Sequence, residues 1–162
     1  MATSPTARRV KGEMMAPEFS IHEITIAVND IEEAAKTIAA AFNGTIDEIQ
    51  HFPQDGFELH MGGVWIGDFH IAMVHDPSGV GPVGRFLAKR GPGIFEVNVR
   101  TDALPDAVEH LKSVGVKLVN EEPLVLPNYD AGHGNVLSEL RISFVNPSTT
   151  HGTMFEVAEW VE

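Results

Sequence analysis

The sequence predicts an α+β fold in which two βαβββ modules form one curved mixed sheet, two half-barrels around a central cleft. Three observations predict it. The chain has 162 residues with 43% hydrophobic and 21% charged side chains, the composition of a globular domain with a sizeable core. The order strand, capped helix, three strands occurs twice, about 72 residues apart. Most strands alternate apolar and polar residues, so each should bury one face and leave the other to the cleft.

Residues 1–18 carry Arg8, Arg9 and Lys11 without an apolar run, and are expected to be a flexible arm rather than a secretory signal. Residues 19–162 are expected to be a single domain, with a first module over about 19–75, a connector over 76–92 and a second module over about 93–160. Residues 21–28 are β-branched and alternate, which reads as a strand. Asn29-Asp30 then caps a helix from Ile31 to Phe42, whose apolar face is Ile31, Ala35, Ile38 and Phe42, and Asn43-Gly44 ends it. Strands are expected at 45–51, 57–61 and 64–74, parted by Pro53 and Gly56 and then by Gly62-Gly63. The second module opens with a strand from Gly93 to Arg100. Thr101-Asp102 caps a helix to about Val114, and Gly115 closes it. Strands follow near 117–121, 139–145 and 153–160, leaving Leu124 to Leu140 as a long loop over the cleft mouth.

Composition also narrows the function. A net charge of −12 disfavours nucleic acid and anionic membranes as partners, because phosphate binding relies on Lys and Arg. No apolar stretch approaches the roughly 20 residues of a membrane span. The absence of cysteine excludes disulfides and thiolate chemistry and suits the cytoplasm.

Several segments resemble one family. They are Ile24-Thr-Ile-Ala-Val-Asn-Asp-Ile-Glu-Glu-Ala, Arg85-Phe-Leu-Ala-Lys-Arg-Gly-Pro-Gly-Ile, Glu121-Glu-Pro, Arg141-Ile-Ser-Phe-Val-Asn-Pro and Gly152-Thr-Met-Phe-Glu-Val. In this order they resemble methylmalonyl-CoA epimerases of the vicinal oxygen chelate (glyoxalase/bleomycin resistance/dioxygenase) superfamily. The resemblance implies a divalent metal held by one residue from each of four strands, commonly His, Gln or Glu, His and Glu. Carried over by position, these fall on Glu23, with His22 beside it, on Ala72, on Glu96 and on Glu156. His70, two residues before Ala72 on the same strand face, offers the missing ligand. The general-base glutamate of the epimerases falls on Glu58.

Strand alternation puts Glu23, Glu96 and Glu156 on the polar, cleft-facing side, and His22 joins them only where a bulge shifts the register by one. Converging carboxylates must protonate, splay into water or share a cation. A metal bound by Glu23 (or His22), His70, Glu96 and Glu156 answers that need, with Mg²⁺, Mn²⁺, Co²⁺, Ni²⁺ and Zn²⁺ not distinguished. Asn98 and Arg100, on the face of Glu96, are the candidate substrate-binding residues.

The expected function is a metal-dependent isomerase or epimerase that deprotonates a carbon acid, an acyl thioester or small hydroxy or keto acid, through a metal-stabilised enolate. Glu58 and Glu156 would be its catalytic pair. One alternative is a metal-free binding protein of the drug-resistance type, holding a cationic ligand in an acidic cleft. A second is an extradiol-type dioxygenase. A small-molecule substrate, no nucleotide cofactor and a homodimer complete the expectation.

Overall fold

The computed structural model describes residues 16–162 apart from 55 and 133, so most of the expected arm lies outside the described residues. Strand β1 (Ser20–Ala27) leads to helix α1 (Ile31–Phe42), then β2 (Thr45–Ile46), β3 (Gln50–Gln54), β4 (Phe57–Ile66) and β5 (Phe69–His75). Helix α2 (Pro82–Arg90) joins these to β6 (Gly93–Thr101), α3 (Leu104–Ser113), β7 (Leu124–Asp130), β8 (Val136–Val145) and β9 (Met154–Val161). The strands pair in the order β2-β4-β5-β1-β6-β9-β8-β7, with β3 also on β4. Within each module the first strand runs parallel to the last, β1 to β5 and β6 to β9. The modules meet through the antiparallel pair β1–β6. The mixed, curled sheet is the α+β architecture the repeat predicts.

Helix α1 begins where Asp30 accepts a hydrogen bond from the Glu33 amide at 2.9 Å, and it ends at Asn43 in the left-handed conformation. Its apolar stripe covers one sheet face, where Ile31, Ala35 and Ala39 pack with Val28, Val64 and Met73. Helix α3 does the same with Leu104 and Ala107 against Val145 and Val157. Each large side chain buried this way contributes about 1.5–3 kcal/mol. The opposite, concave face is apolar at its two ends. One end is Leu137, Leu140, Ile142 and Ala158. At the other end, Val83, Phe86 and Leu87 of α2 close over Ala27, Val74 and Phe95.

Three expectations are corrected. Gly62-Gly63 do not turn the chain: β4 runs through them, and the turn follows at Gly67, whose φ is +60°. These glycines serve close approach instead. A side chain on Gly63 would strike the His70 ring and the Ile71 carbonyl, and one on Gly62 would press on Ile31 at 3.2 Å. Within the connector 76–92, residues 82–90 are helical, with Pro82 in the first turn. Asp76 organises its approach, taking hydrogen bonds from Ser78, Gly79 and Gly81. Residues 117–121 form only an isolated bridge, Leu118 to Val145. The stretch 124–140, expected to be a loop, is instead mostly the hairpin β7–β8, which completes the sheet edge. Among the described residues no helix is long and apolar enough to cross a membrane.

Candidate functional site

Strand register assembles one polar row across the middle of the concave face. His70 on β5 lies opposite Glu23 on β1, Glu23 opposite Asn98 on β6, and Asn98 opposite Glu156 on β9. One step along, Thr25 lies opposite Glu96. The register of β1 slips between Ile21 and Glu23, which makes His22 the extra residue of a bulge. Both His22 and Glu23 therefore reach the cavity.

The row is tied by short hydrogen bonds. The His70 Nδ1–H donates to Glu23 Oε2 at 2.6 Å, and its Nε2–H to Asp47 Oδ2 at 2.7 Å. Trp65 Nε1–H donates to the other Asp47 oxygen at 3.0 Å and stacks on the His70 ring, with centroids 4.6 Å apart. Asn98 Nδ2 donates to Glu23 Oε1 at 2.6 Å and to Thr25 Oγ1 at 3.3 Å. Burial pushes the His70 imidazole down, but Glu23 and Asp47 outweigh it and hold it above its ordinary value. A carboxylate on each nitrogen favours the doubly protonated, charged form of the ring.

The neighbouring carboxyls also hold their protons more tightly than usual. Glu96, 8% exposed, is pushed up to about 7 by burial and by the Glu23 charge, with a Thr25 hydrogen bond opposing. Burial, then the charges of Glu96 and Glu23, push Glu156 well above the ordinary carboxylate range. The Oδ1 atom of Asn98, directly across from Glu156 in the register, is buried and lacks a hydrogen-bond partner among the described residues. A proton on Glu156 would suit that acceptor.

A cavity of about 260 Å³ opens over this row. Glu23, His70 and Glu156 line it from below, Asp47, Glu48 and Gln50 from the β2–β3 side, and Tyr129 to Gly132 from the β7–β8 hairpin. The segment expected to be a loop over the mouth thus contributes a wall. Both tryptophans of the chain, Trp65 and Trp160, and its single tyrosine, Tyr129, face the cavity. Among the described residues no Lys or Arg lines it.

The other expected site residues stand elsewhere. Glu96 and Asn98 are buried within the sheet beneath the cavity rather than lining it. Arg100 lies over the Trp160 ring at 4.4 Å, and His22 meets the same ring edge-on at 4.4 Å. Glu58 does not line the cavity. It lies 3.3 Å from His51 Nδ1 and 3.2 Å from His60 Nε2. Alternation puts these three on the far face of the β3–β4 hairpin, because Gln50, Phe52 and Met61, which flank His51 and His60, are the ones that line the cavity.

A metal held by Glu23, His70, Glu96 and Glu156 would need their donor atoms around one point, roughly 2.0–2.6 Å from each. Among the described residues, the one group of three His, Asp or Glu side chains with donor atoms within 4.8 Å of one another is His51, Glu58 and His60. His70 has both nitrogens committed to carboxylates, and Ala72 has no donor at all. The cavity residues therefore do not fit the four-ligand chelate that the resemblance implies. Sequence reasoning missed Asp47, for which a position just after a short strand gives no signal. It also missed the His51–His60 pair, which was legible: the two stand about equally far from Gly56 and so face each other across a hairpin.

No protein-family model matches the chain. A search of curated proteins likewise found no match. Among solved structures, a hypothetical protein from Bacillus halodurans C-125 matches with a TM-score of 0.72 and 22% identity, over 89% of this chain and 96% of that one. A methylmalonyl-CoA epimerase from Mycobacterium tuberculosis matches with a TM-score of 0.65 and 25% identity, over 86% of each chain. A variant of the Streptomyces coelicolor methylmalonyl-CoA epimerase, in complex with 2-nitronate-propionyl-CoA, matches with a TM-score of 0.66 and 20% identity, over 86% of this chain and 95% of that one. The chain has the fold of these proteins, as the vicinal-oxygen-chelate resemblance of its sequence implies.

Proposed function

We propose that this chain is an isomerase or epimerase that moves a proton at the carbon beside a carbonyl in a small carbon acid. Glu156 is the group that exchanges the proton. The observation that carries the reading is the Glu156 carboxyl itself, which lines the cavity and holds its proton well above the usual carboxylate range. A carboxyl held above its ordinary range is suited to take and return a proton. The fixed charge of His70, in the same wall, would meet the negative charge that grows on the carbonyl oxygen. Glu48, which lines the cavity from the β2–β3 side, is the candidate second acid–base group. Glu58 takes no part, and no step runs through a metal.

The test is exchange of the substrate α-proton with solvent deuterium, followed by NMR over a panel of methylmalonyl-CoA, small 2-hydroxy acids and 2-oxo acids. Wild type should exchange at least one member, and Glu156→Gln should slow that exchange by about 10²- to 10⁴-fold. Exchange that survives the substitution sinks the assignment. The reading includes a homodimer, supported by the exposed Leu124 and Val125 on the edge strand β7. Light scattering should then give twice 17.6 kDa.

One observation favours a second reading, a binding protein for a cationic ligand. The cavity places Glu23, Asp47, Glu48, Asp130 and Glu156 around Trp65, Trp160 and Tyr129, with no basic residue among the described ones beside His22 and His70. Aromatic faces and carboxylates together suit an organic cation. Ligand-induced stabilisation by such cations without any proton exchange would favour it over the isomerase.

A further inference from the structure

We propose that His51, Glu58 and His60 form a transition-metal site on the outer face of the β3–β4 hairpin, separate from the cavity. His51 and His60 are direct cross-strand partners, and Glu58 precedes His60 by two residues on the same face. The two imidazole rings stack, with centroids 3.9 Å apart and planes 24° apart. One donor atom from each of the three residues falls within 4.8 Å of the others.

Stronger support comes from the way the donors meet. Glu58 Oε1 is 3.3 Å from His51 Nδ1 and 3.2 Å from His60 Nε2, near enough for hydrogen bonds. Yet His60 Nε2 is buried and makes no hydrogen bond among the described residues. A buried nitrogen without a partner costs free energy unless something else engages its lone pair. Here three donors converge on a shared point rather than saturating one another, which is the arrangement a cation completes. His75, the next residue in the same cross-strand row, is not a ligand. Its Nδ1–H donates to the Val28 carbonyl at 3.0 Å, and its ring centre is 6.0 Å from that of His60.

Two imidazoles and one carboxylate select borderline divalent ions, Zn²⁺, Co²⁺, Ni²⁺ or Cu²⁺, over Mg²⁺ or Ca²⁺. Three protein ligands leave further coordination positions for water. The same hairpin presents Gln50, Phe52 and Met61 to the cavity on its other side. A bound ion would therefore stiffen one cavity wall without entering the cavity.

The experiment is titration of the full, EDTA-stripped chain with ZnCl₂ and with CoCl₂, read by calorimetry and by the visible absorption of Co²⁺. One ion per chain is expected, with MgCl₂ giving no heat. His51→Ala, at the exposed end of the trio, should weaken binding at least tenfold, and Glu58→Gln should do so independently. Glu156→Gln, in the cavity, should leave affinity within twofold of wild type. Absence of binding, or binding that survives both His51→Ala and Glu58→Gln, or binding lost in Glu156→Gln, would each overturn the site.

Discussion

His70 and Glu23 face each other across β5 and β1, and a 2.6 Å hydrogen bond makes them the central pair of the concave face. Asp47 grips the same ring from its other nitrogen. One cation is thus held by two carboxylates, and no Arg or Lys among the described residues lines the cavity to replace it. Removing the ring by His70→Ala should cost about 2–4 kcal/mol, because Glu23 would be left half-buried beside Glu96 and Glu156. Urea denaturation at pH 6 measures this.

The same pair fixes a pH dependence. The folded His70 holds its proton above its ordinary value, so its contribution is complete below about pH 6.5. It is lost as pH rises through the raised folded value. The stability gap between wild type and His70→Asn should therefore be largest at pH 6 and narrower at pH 9. A gap that widens with pH would show that the ring is neutral in the folded protein.

Glu96 works in the same direction, over a lower pH window. Its carboxyl titrates near 7 in the fold against about 4.5 unfolded, so the folded state holds the extra proton between those values. Stability should fall as pH rises from 4.5 to 7, by on the order of 3 kcal/mol, and then level off. Glu96→Gln should flatten that slope, as a series of denaturation curves would reveal.

Gly63 is predicted to be intolerant of any side chain. A methyl group there meets the His70 imidazole and the backbone carbonyl of Ile71, and only the first can yield. Gly63→Ala should cost about 1–3 kcal/mol and disturb the Trp65 fluorescence that reports on the stacked ring. Gly93→Ala, at a position where nothing lies within 4 Å, is the control and should be nearly neutral.

Glu58 and Glu156 should separate cleanly by assay. Glu58→Gln should leave proton exchange in the cavity within about twofold of wild type, whereas Glu156→Gln should abolish most of it. If Glu58→Gln were the one to lose exchange, the outer face of the hairpin would have to join the reaction.

Much of this arrangement was legible because it rests on local rules. Asp30 and the stripe from Ile31 to Phe42 announce α1, and period-two alternation sorts Glu23 and Glu156 to one face. The bulge that brings His22 to the cavity could be stated only as a condition, since nothing local in the sequence demands it. Gly62-Gly63 misled because glycine marks both turns and close contacts, and only tertiary packing tells which. The swap between 117–121 and 124–130 has a similar cause. Val116-Lys-Leu-Val is as β-prone as Leu124-Val-Leu, yet Val116 and Leu118 are spent packing beneath α3. Glu58 was placed by resemblance alone, and its strand parity puts it on the outer face.

The line of bonds from Trp65 through Asp47, His70 and Glu23 to Asn98 links both modules. A slip of β1 by one residue would set Ile24 against His70 and turn Glu23 into the apolar layer beneath α1. Glu23 would lose both its partners and His70 one of its two, while Ile24 and Ile26 would turn out of the apolar layer at the same time. The polar row therefore acts during folding as a proofreading mark, adding a charge penalty to mispaired sheets that the apolar pattern already disfavours.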